Sequence, residues 1–156
     1  VKVRLTDIDG CWTDGLVFFH GDGAPSVRFS VQDGYGVTMR SKTNIEIVAV
    51  SGRDCPAVKK RLVQLGITEQ YMGSLHKEAL AEKILSEKNL LPQEVAAFGD
   101  DLPDLGLFKH ALISFAPPGA RPEIIQEANY VTKAAGGAGA FREIAEILLK
   151  SQEGHG

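Results

Sequence analysis

Short apolar runs alternate with longer amphipathic stretches along most of the chain. The run at 45–50, I-E-I-V-A-V, is nearly continuous and of strand length, which is typical of a strand covered on both faces. Helical spacing follows, with Val58, Leu62 and Leu65 on one face before Gly66. These patterns predict strands directly before Asp7 and at 45–50, 70–72, 94–98, 112–115 and 130–132. They predict helices at 33–42, 54–66, 76–88, 101–108, 122–128 and 141–150.

The region 16–30 interrupts this alternation. Two β-rich runs, 16–19 and 26–30, flank the turn dipeptide Asp22-Gly23, a pattern that predicts a hairpin. Asp33 and Asp54 each precede a helical stretch, so we predict that they cap the helices that follow. The hairpin carries six apolar side chains, more than a two-stranded flap buries on its own domain: Leu16, Val17, Phe18, Phe19, Val27 and Phe29.

Strands that alternate with helices imply βαβ crossovers and parallel pairing. The predicted fold class is therefore α/β, a Rossmann-like three-layer sandwich with a mainly parallel central sheet and a small β-hairpin insertion after the first strand. We expect one domain over residues 1–150, with the hairpin 16–30 inside it and a flexible tail at 151–156.

Composition limits the classes of partner. With 156 residues, 44% of them apolar, the chain is large enough for one domain with a substantial core. A formal net charge of −3 argues against nucleic acid, which binds basic surfaces. No apolar run approaches the roughly 20 residues that cross a bilayer, so we expect no membrane partner and a cytoplasmic location. Cys11 and Cys55 are expected to be free thiols.

Polar and charged residues follow several of the predicted strands. Asp7 and Asp9 stand at i and i+2, so they share one face where Gly10 permits a sharp turn. Two close carboxylates repel unless a cation or a shared proton intervenes, which indicates a hard metal ion, a carboxylate nucleophile beside an acid, or both. Ligands of an open α/β sheet bind beyond the carboxyl ends of its strands. The other residues placed there are Ser51, Lys77, Asp100, Asp101 and Asp104.

Each of these residues also has an ordinary structural interpretation. Ser51 could cap a helix, Lys77 could be a solvated lysine, and the acidic residues at 100–101 could suit a helix dipole. The appearance of all of them at one sheet edge, in this order, favours a functional interpretation.

The order resembles that of the haloacid dehalogenase superfamily of phosphotransferases across nearly the whole chain. Its first motif, D-x-D-G, matches Asp7 to Gly10, and the later motifs match Ser51, Lys77 and Gly99-Asp100-Asp101. The segments at 31–36, 51–53, 99–102 and 136–143 are similar to those of the capless branch, which includes the phosphatases of 3-deoxy-D-manno-octulosonate 8-phosphate and of nonulosonate 9-phosphates. D-x-D-G alone is a weak signal, whereas the ordered set is specific.

The resemblance implies a Mg²⁺-dependent phosphatase that acts on a sugar acid phosphate. Asp7 would be the nucleophile and Asp9 the general acid and base. Ser51 would donate a hydrogen bond to a phosphoryl oxygen, while the charge of Lys77 would compensate both the nucleophile and the phosphate. Mg²⁺ would be held by Asp7, Asp100 and the main-chain carbonyl of Asp9. The remaining assignments are substrate-binding for Asp33, Gly34, Arg53 and Arg61, and a supporting or capping role for Asp101 and Asp104.

Several alternatives stay open. Thr38 and Ala138 depart from the pattern of the sugar phosphatases, which leaves the sugar undecided between an octulosonate and a nonulosonate. A non-catalytic domain that oligomerises beside a sugar-acid nucleotidyltransferase is a third alternative. A signalling receiver domain fits poorly because the central strand ends in Ser51-Gly52-Arg53, and no G-x-G-x-x-G indicates a dinucleotide site. Relatives with this short a chain lack the mobile cap that other members of the superfamily fold over the substrate. The resemblance therefore implies a homotetramer in which the hairpins pack together and a neighbouring chain covers each site.

Overall fold

A computed structural model of the chain describes residues 1–153. Six parallel strands form the central sheet in the order β5-β4-β1-β6-β7-β8, and an antiparallel pair, β2 and β3, forms the predicted hairpin. The strands are β1 Val3–Thr6, β2 Phe18–His20, β3 Gly23–Ser26, β4 Glu46–Ser51, β5 Gln70–Met72, β6 Val95–Phe98, β7 Ile113–Ala116 and β8 Tyr130–Val131. The predicted α/β class with a parallel sheet and a hairpin insertion is confirmed.

Helices follow the strands of the sheet, as the crossover pattern requires. They are α1 Val31–Thr38, α2 Arg40–Thr43, α3 Pro56–Gln64, α4 Lys77–Lys88, α5 Leu105–Phe108, α6 Pro122–Glu127 and α7 Ala140–Glu153. Two short 3₁₀ turns, Pro92–Glu94 and Leu102–Asp104, precede β6 and α5. No helix within residues 1–153 is long and apolar enough to cross a membrane.

The central strands are buried on both faces, which explains their nearly continuous apolar sequence. In β4, Ile47 and Ala49 contribute to a core shared with α1, α3 and α7. Val48 and Val50 point to the opposite face, where they join a core that includes α4 and α5. Successive side chains of β4 thus point to opposite faces of the sheet, so one apolar run contributes to the core beneath each of the two helical layers.

The hairpin and the caps differ in detail from the sequence prediction. The second hairpin strand ends at Ser26 because Val27 and Phe29 pack against the main core. The cap of α1 is Ser30, whose hydroxyl accepts a hydrogen bond from the Gln32 amide at 3.1 Å, so the prediction that Asp33 caps this helix is wrong.

The predicted cap at Asp54 is also wrong. Cys55 occupies the capping position of α3 without a side-chain hydrogen bond, and Asp54 instead forms a 2.7 Å ion pair with Lys59. Pro56, which lacks an amide hydrogen, begins the helix, so one fewer amide there requires a cap.

The last helix ends later than the sequence pattern predicted. Helix α7 continues to Glu153, three residues beyond the predicted end at Lys150. Residues 151–153 of the expected flexible tail are helical, and residues 154–156 lie outside the described part of the chain, so the flexibility of the tail stays a prediction.

Gly106 fixes how closely α5 approaches α4. A Cβ atom at this position would lie 2.5 Å from the Glu78 backbone nitrogen and 2.8 Å from its Cα. We expect Gly106→Ala to lower the free energy of unfolding by about 1–3 kcal/mol, because overpacking against backbone outweighs the helical preference for alanine. Urea unfolding measures the loss. Gly119→Ala is the matched control, since a Cβ there meets nothing within 4 Å; equal losses in both variants would contradict the close contact.

Candidate active site

The parallel sheet brings the candidate residues to one edge. Asp7 directly follows β1, the strand between β4 and β6, and Ser51 is the last residue of β4. Asp100 lies two residues after β6, and Lys77 is the first residue of α4. Because the neighbouring strands run in the same direction, their carboxyl ends meet here.

Lys77 connects two buried carboxylates. Its Nζ donates to Asp7 Oδ1 at 2.8 Å and to Asp104 Oδ1 at 2.6 Å. The three side chains are 4%, 7% and 1% exposed, respectively, so the ion pairs are almost fully shielded from water. Two of the three ammonium donors are therefore directed by fixed acceptors, and the position of the charge is well defined.

The same burial perturbs the acidic groups. Burial raises the pKa of Asp7 to about 7, and Asp100 adds to the rise, although the Lys77 ammonium opposes it. Burial and the neighbouring acids Asp104 and Asp101 raise the pKa of Asp100 to about 6. Burial disfavours the Lys77 ammonium, but Asp7 and Asp104 outweigh this and raise its pKa. The single ammonium of Lys77 does not balance the carboxylates of Asp7, Asp100 and Asp104. The remaining negative charge favours a bound cation.

Asp104 also orders the loop that carries Asp100. Its second oxygen accepts from the backbone amides of Asp100 at 2.9 Å and Asp101 at 3.2 Å. The Asp101 side chain accepts from the Leu102 amide at 2.8 Å and caps the 3₁₀ turn there. Asp104 thus links the position of Lys77 to the position of Asp100.

Asp9 faces an arginine in the open part of the site. Arg53 donates from Nε to Asp9 Oδ2 at 2.7 Å and from Nη2 to Asp9 Oδ1 at 2.8 Å, a bidentate pair. This contact raises the pKa of Arg53. The Ser51 hydroxyl oxygen accepts from the Arg53 amide at 3.3 Å, which fixes the turn after β4.

Close backbone packing holds the loop between Asp7 and Gly15. Gly10 has a φ of 81°, and a Cβ there would fall 1.8 Å from Asp100 Oδ2. Thr13 Oγ1 accepts from the Gly10 amide at 3.2 Å and from the Gly15 amide at 3.1 Å. A Cβ at Gly136 would lie 1.9 Å from the Gly10 carbonyl oxygen, so the glycine-rich segment before α7 supports this loop from outside.

These groups surround a cleft of about 380 Å³. Sequence reasoning missed Gly15, Gly52, Leu75 and Pro103, which are small or apolar and carry no chemical signal. The full lining consists of Asp7, Asp9, Gly15, Gly52, Arg53, Leu75, Lys77, Asp100, Asp101, Pro103 and Asp104.

Three of the four predicted substrate-binding residues do not line this cleft. The Asp33 carboxylate is buried and accepts from the Arg142 amide at 3.1 Å, in the first turn of α7. Gly34 packs against Arg61, whose Nη2 would lie 2.7 Å from a Cβ at position 34. The structure thus gives Asp33 and Gly34 packing roles, and substrate binding by Asp33, Gly34 and Arg61 stays a prediction. Arg53 alone of the four lies in the cleft.

The donor set fits Mg²⁺. One potential ligand atom each from Asp7, Asp100 and Cys11 lies within 4.8 Å of the other two. Burial raises the pKa of the Cys11 thiol, and Asp7 adds to the rise, so the thiol stays protonated and is a poor ligand. The remaining donors are carboxylate oxygens, which Mg²⁺ prefers.

Comparison with known proteins identifies the class. A model of the haloacid dehalogenase-like hydrolases matches residues 71–144. The 3-deoxy-D-manno-octulosonate 8-phosphate phosphatase of Escherichia coli K12 is 36% identical over 152 residues, covering 97% of this chain and 81% of its own.

Comparison with solved structures leads to the same class of protein. The Moraxella catarrhalis 3-deoxy-D-manno-octulosonate 8-phosphate phosphatase, crystallised with magnesium, phosphate and the KDO molecule, superposes with a TM-score of 0.94 at 29% identity, covering 98% of this chain and 88% of the other. The cobalt-bound Haemophilus influenzae deoxy-D-mannose-octulosonate 8-phosphate phosphatase gives a TM-score of 0.92 at 33% identity, covering 98% and 90%.

The parallel sheet with an acidic cleft at its carboxyl edge is that of a haloacid dehalogenase-type hydrolase. The chain belongs to this family, and the relatives just described are named as phosphatases of 3-deoxy-D-manno-octulosonate 8-phosphate.

Removing the Lys77 charge tests how strongly the buried site depends on it. We expect Lys77→Met to lower the free energy of unfolding by about 3–5 kcal/mol in chelator, because Asp7 and Asp104 lose their shared partner inside the protein. Chemical unfolding measures the change. Lys83→Met, on the exposed side of the same helix, is the control and should change stability by less than about 1 kcal/mol. A similar small change in both variants would contradict a buried charge network.

Proposed function

We propose that the protein is a Mg²⁺-dependent phosphatase that hydrolyses 3-deoxy-D-manno-octulosonate 8-phosphate through an aspartyl-phosphate. The observation that carries the proposal is the meeting of Asp7, Lys77, Asp100 and Asp104 in one cleft, with Asp9 and Arg53 at its open side. The names of the relatives supply the substrate, and the geometry supplies the reaction class.

In the first step, an oxygen of Asp7 attacks phosphorus while the bond from phosphorus to the sugar oxygen breaks. Lys77 holds the attacking carboxylate from one side through the 2.8 Å contact and offsets the negative charge of the phosphoryl group. As the general acid, Asp9 gives a proton to the departing sugar oxygen, so the alcohol leaves as a neutral group.

In the second step, Asp9 removes a proton from a water molecule that attacks the phosphorus of the aspartyl-phosphate. The bond to Asp7 breaks, inorganic phosphate leaves, and both carboxyl groups return to their starting states. Asp7, Asp100 and the Asp9 carbonyl would hold Mg²⁺, which when bound supplies positive charge beside the phosphoryl oxygens. We propose that Ser51, whose hydroxyl oxygen accepts from the Arg53 amide, donates its hydroxyl hydrogen to a phosphoryl oxygen.

Arg53 gives the site a means of recognising an acidic sugar. In the structure its guanidinium engages both oxygens of Asp9, with side chains 39% and 30% exposed. A substrate carboxylate offers the same fork-shaped partner, so it competes with Asp9 for Arg53. We infer that binding of a sugar acid frees Asp9 for proton transfer.

The two alternative functions are less well supported. The relatives described above carry the octulosonate name, which favours that substrate over a nonulosonate 9-phosphate. A non-catalytic oligomerisation domain would not need the buried pairing of Lys77 with Asp7 and Asp104, which costs desolvation. Thr38 and Ala138, the departures noted in the sequence, are exposed and lie outside the cleft lining.

We place the reaction in the cytoplasm. Cys11 and Cys55 are both free and buried. Free thiols are typical of a reducing compartment.

Phosphate release from a substrate panel tests the function. With Mg²⁺ present, we expect turnover of 3-deoxy-D-manno-octulosonate 8-phosphate to exceed that of nonulosonate 9-phosphates and of neutral sugar phosphates, and chelator to abolish it. Asp7→Asn should release no phosphate, because an amide is not a nucleophile for phosphorus, while its circular dichroism stays native. Ordinary turnover by folded Asp7→Asn, or activity in chelator, would overturn the mechanism. A preference for the nonulosonate ester would overturn the substrate assignment alone.

We also propose that the hairpin mediates a homotetramer in which a neighbouring chain covers each cleft. Leu16, Phe18 and Phe19 are 71%, 63% and 81% exposed, which is a costly surface for an isolated flap. Phe29 does not share this exposure, because it packs partly against the core. The apolar side chains that an interface would bury are therefore those at the first strand of the hairpin.

Light scattering coupled to size exclusion tests the assembly. We expect a mass of four chains for the native protein and smaller species for the double variant Phe18→Asp with Phe19→Asp, with a parallel loss of activity because the cleft loses its cover. Asp22→Asn, at the exposed turn of the same hairpin, is the control and should remain tetrameric. A native protein that is monomeric and fully active would refute the shared cleft.

A further inference from the structure

A second group of metal-ligating side chains lies outside the catalytic cleft. Glu78 and Glu82 stand at i and i+4 on α4, so they share one face of the helix. His110 follows α5, which packs closely enough on α4 that Gly106 meets the Glu78 backbone. One ligand atom from each of the three side chains lies within 4.8 Å of the other two.

The spacing within this group suits a metal better than a hydrogen bond. His110 Nε2 is 3.5 Å from Glu82 Oε1 and 3.7 Å from Glu78 Oε1, whereas hydrogen bonds to nitrogen are about 2.7–3.2 Å long. Zinc bonds of about 2.0–2.1 Å at tetrahedral angles place ligand atoms about 3.4 Å apart. His110 Nε2 is shielded from solvent and has no hydrogen-bond partner within residues 1–153. The nitrogen therefore lies at ion-pair distance from both carboxylates and forms a hydrogen bond to neither.

We propose that Glu78, Glu82 and His110 form a site for a borderline divalent cation such as Zn²⁺. Two carboxylates balance its charge, and the neutral imidazole selects it over Mg²⁺, which prefers oxygen ligands. Lys109 Nζ is 3.5 Å from Glu78 Oε2 and competes with the cation for that carboxylate. A direct pairing of His110 with both glutamates, without a cation, is the competing arrangement, and the experiment separates the two.

Occupancy of this site would fix α5 against the first turn of α4. Glu78 directly follows Lys77, and Asp104 directly precedes α5, so the cation would join the outer surfaces of the two elements that hold the catalytic ammonium. The inference stands on the geometry of these three side chains and does not depend on the identity of the sugar phosphate.

Titration calorimetry with Zn²⁺ at neutral pH tests the proposal. Mg²⁺ is kept in large excess to occupy Asp7 and Asp100, and the full chain is used. We expect one Zn²⁺ to bind per chain, and His110→Asn and Glu82→Gln each to weaken binding by about tenfold or more. Lys109→Met should tighten it, because the competing ammonium is gone. Glu87→Gln, exposed on the same helix, is the matched control and should leave binding unchanged.

Three outcomes would overturn the proposal. These are no binding of Zn²⁺ to the native chain, binding that His110→Asn leaves intact, and binding that disappears in Asp100→Asn, which would assign the heat to the catalytic cleft. Circular dichroism of each variant establishes that it is folded. A thermal shift that follows Zn²⁺ in the native chain and is absent from His110→Asn supplies a second readout independent of activity.

Discussion

The buried ammonium of Lys77 is the charge on which the geometry of the cleft depends. Lys77 is the first residue of α4, where the helix dipole disfavours a cation, and it is almost fully removed from water. Asp7 and Asp104 compensate for both costs. With Asp100 nearby, however, the carboxylates outnumber the ammonium. Burial raises the pKa values of Asp7, Asp100 and Asp104, and repulsion among the carboxylates adds to the rise. The need for Mg²⁺ follows from this imbalance of charge, since a divalent cation restores neutrality where phosphate must bind.

The topology of the sheet explains why distant segments supply these charges. β1 lies between β4 and β6, and all three strands run in parallel, so each ends at the same edge. Asp7 and Lys77 are 70 positions apart in sequence and are joined only because β5 and α4 return the chain to this edge. The glycine at position 10 then permits the turn that keeps Asp9 at the open side, facing Arg53. A strand order that separated β1 from β6 would separate Asp7 from Asp100.

Sequence patterns predicted the sheet and most of the cleft because both depend on local periodicity. Apolar runs marked the strands, and the residues just after those runs, such as Asp7, Ser51 and Asp100, lie at the edge where parallel strands end. Long-range packing has no such periodicity. Asp33 bonds to an amide 109 residues away, and no local signal distinguishes that role from substrate binding. The support of Gly10 by Gly136 is likewise a contact between backbones, which side-chain chemistry does not reveal.

The contact between α4 and α5 connects the catalytic cleft to the outer surface. Consecutive helical residues are about 100° apart, so Lys77 faces inward and Glu78 outward from one turn. Asp104 stands just before α5, and His110 is the second residue after it. The helix itself has four residues, Leu105–Phe108, which are too few to bend independently. Because Gly106 has no side chain, the backbone of α5 packs directly against the backbone of α4 at Glu78. A shift of α5 that separated His110 from Glu78 would therefore also move Asp104 relative to Lys77, so any ligand that holds the outer pair stabilises the inner one.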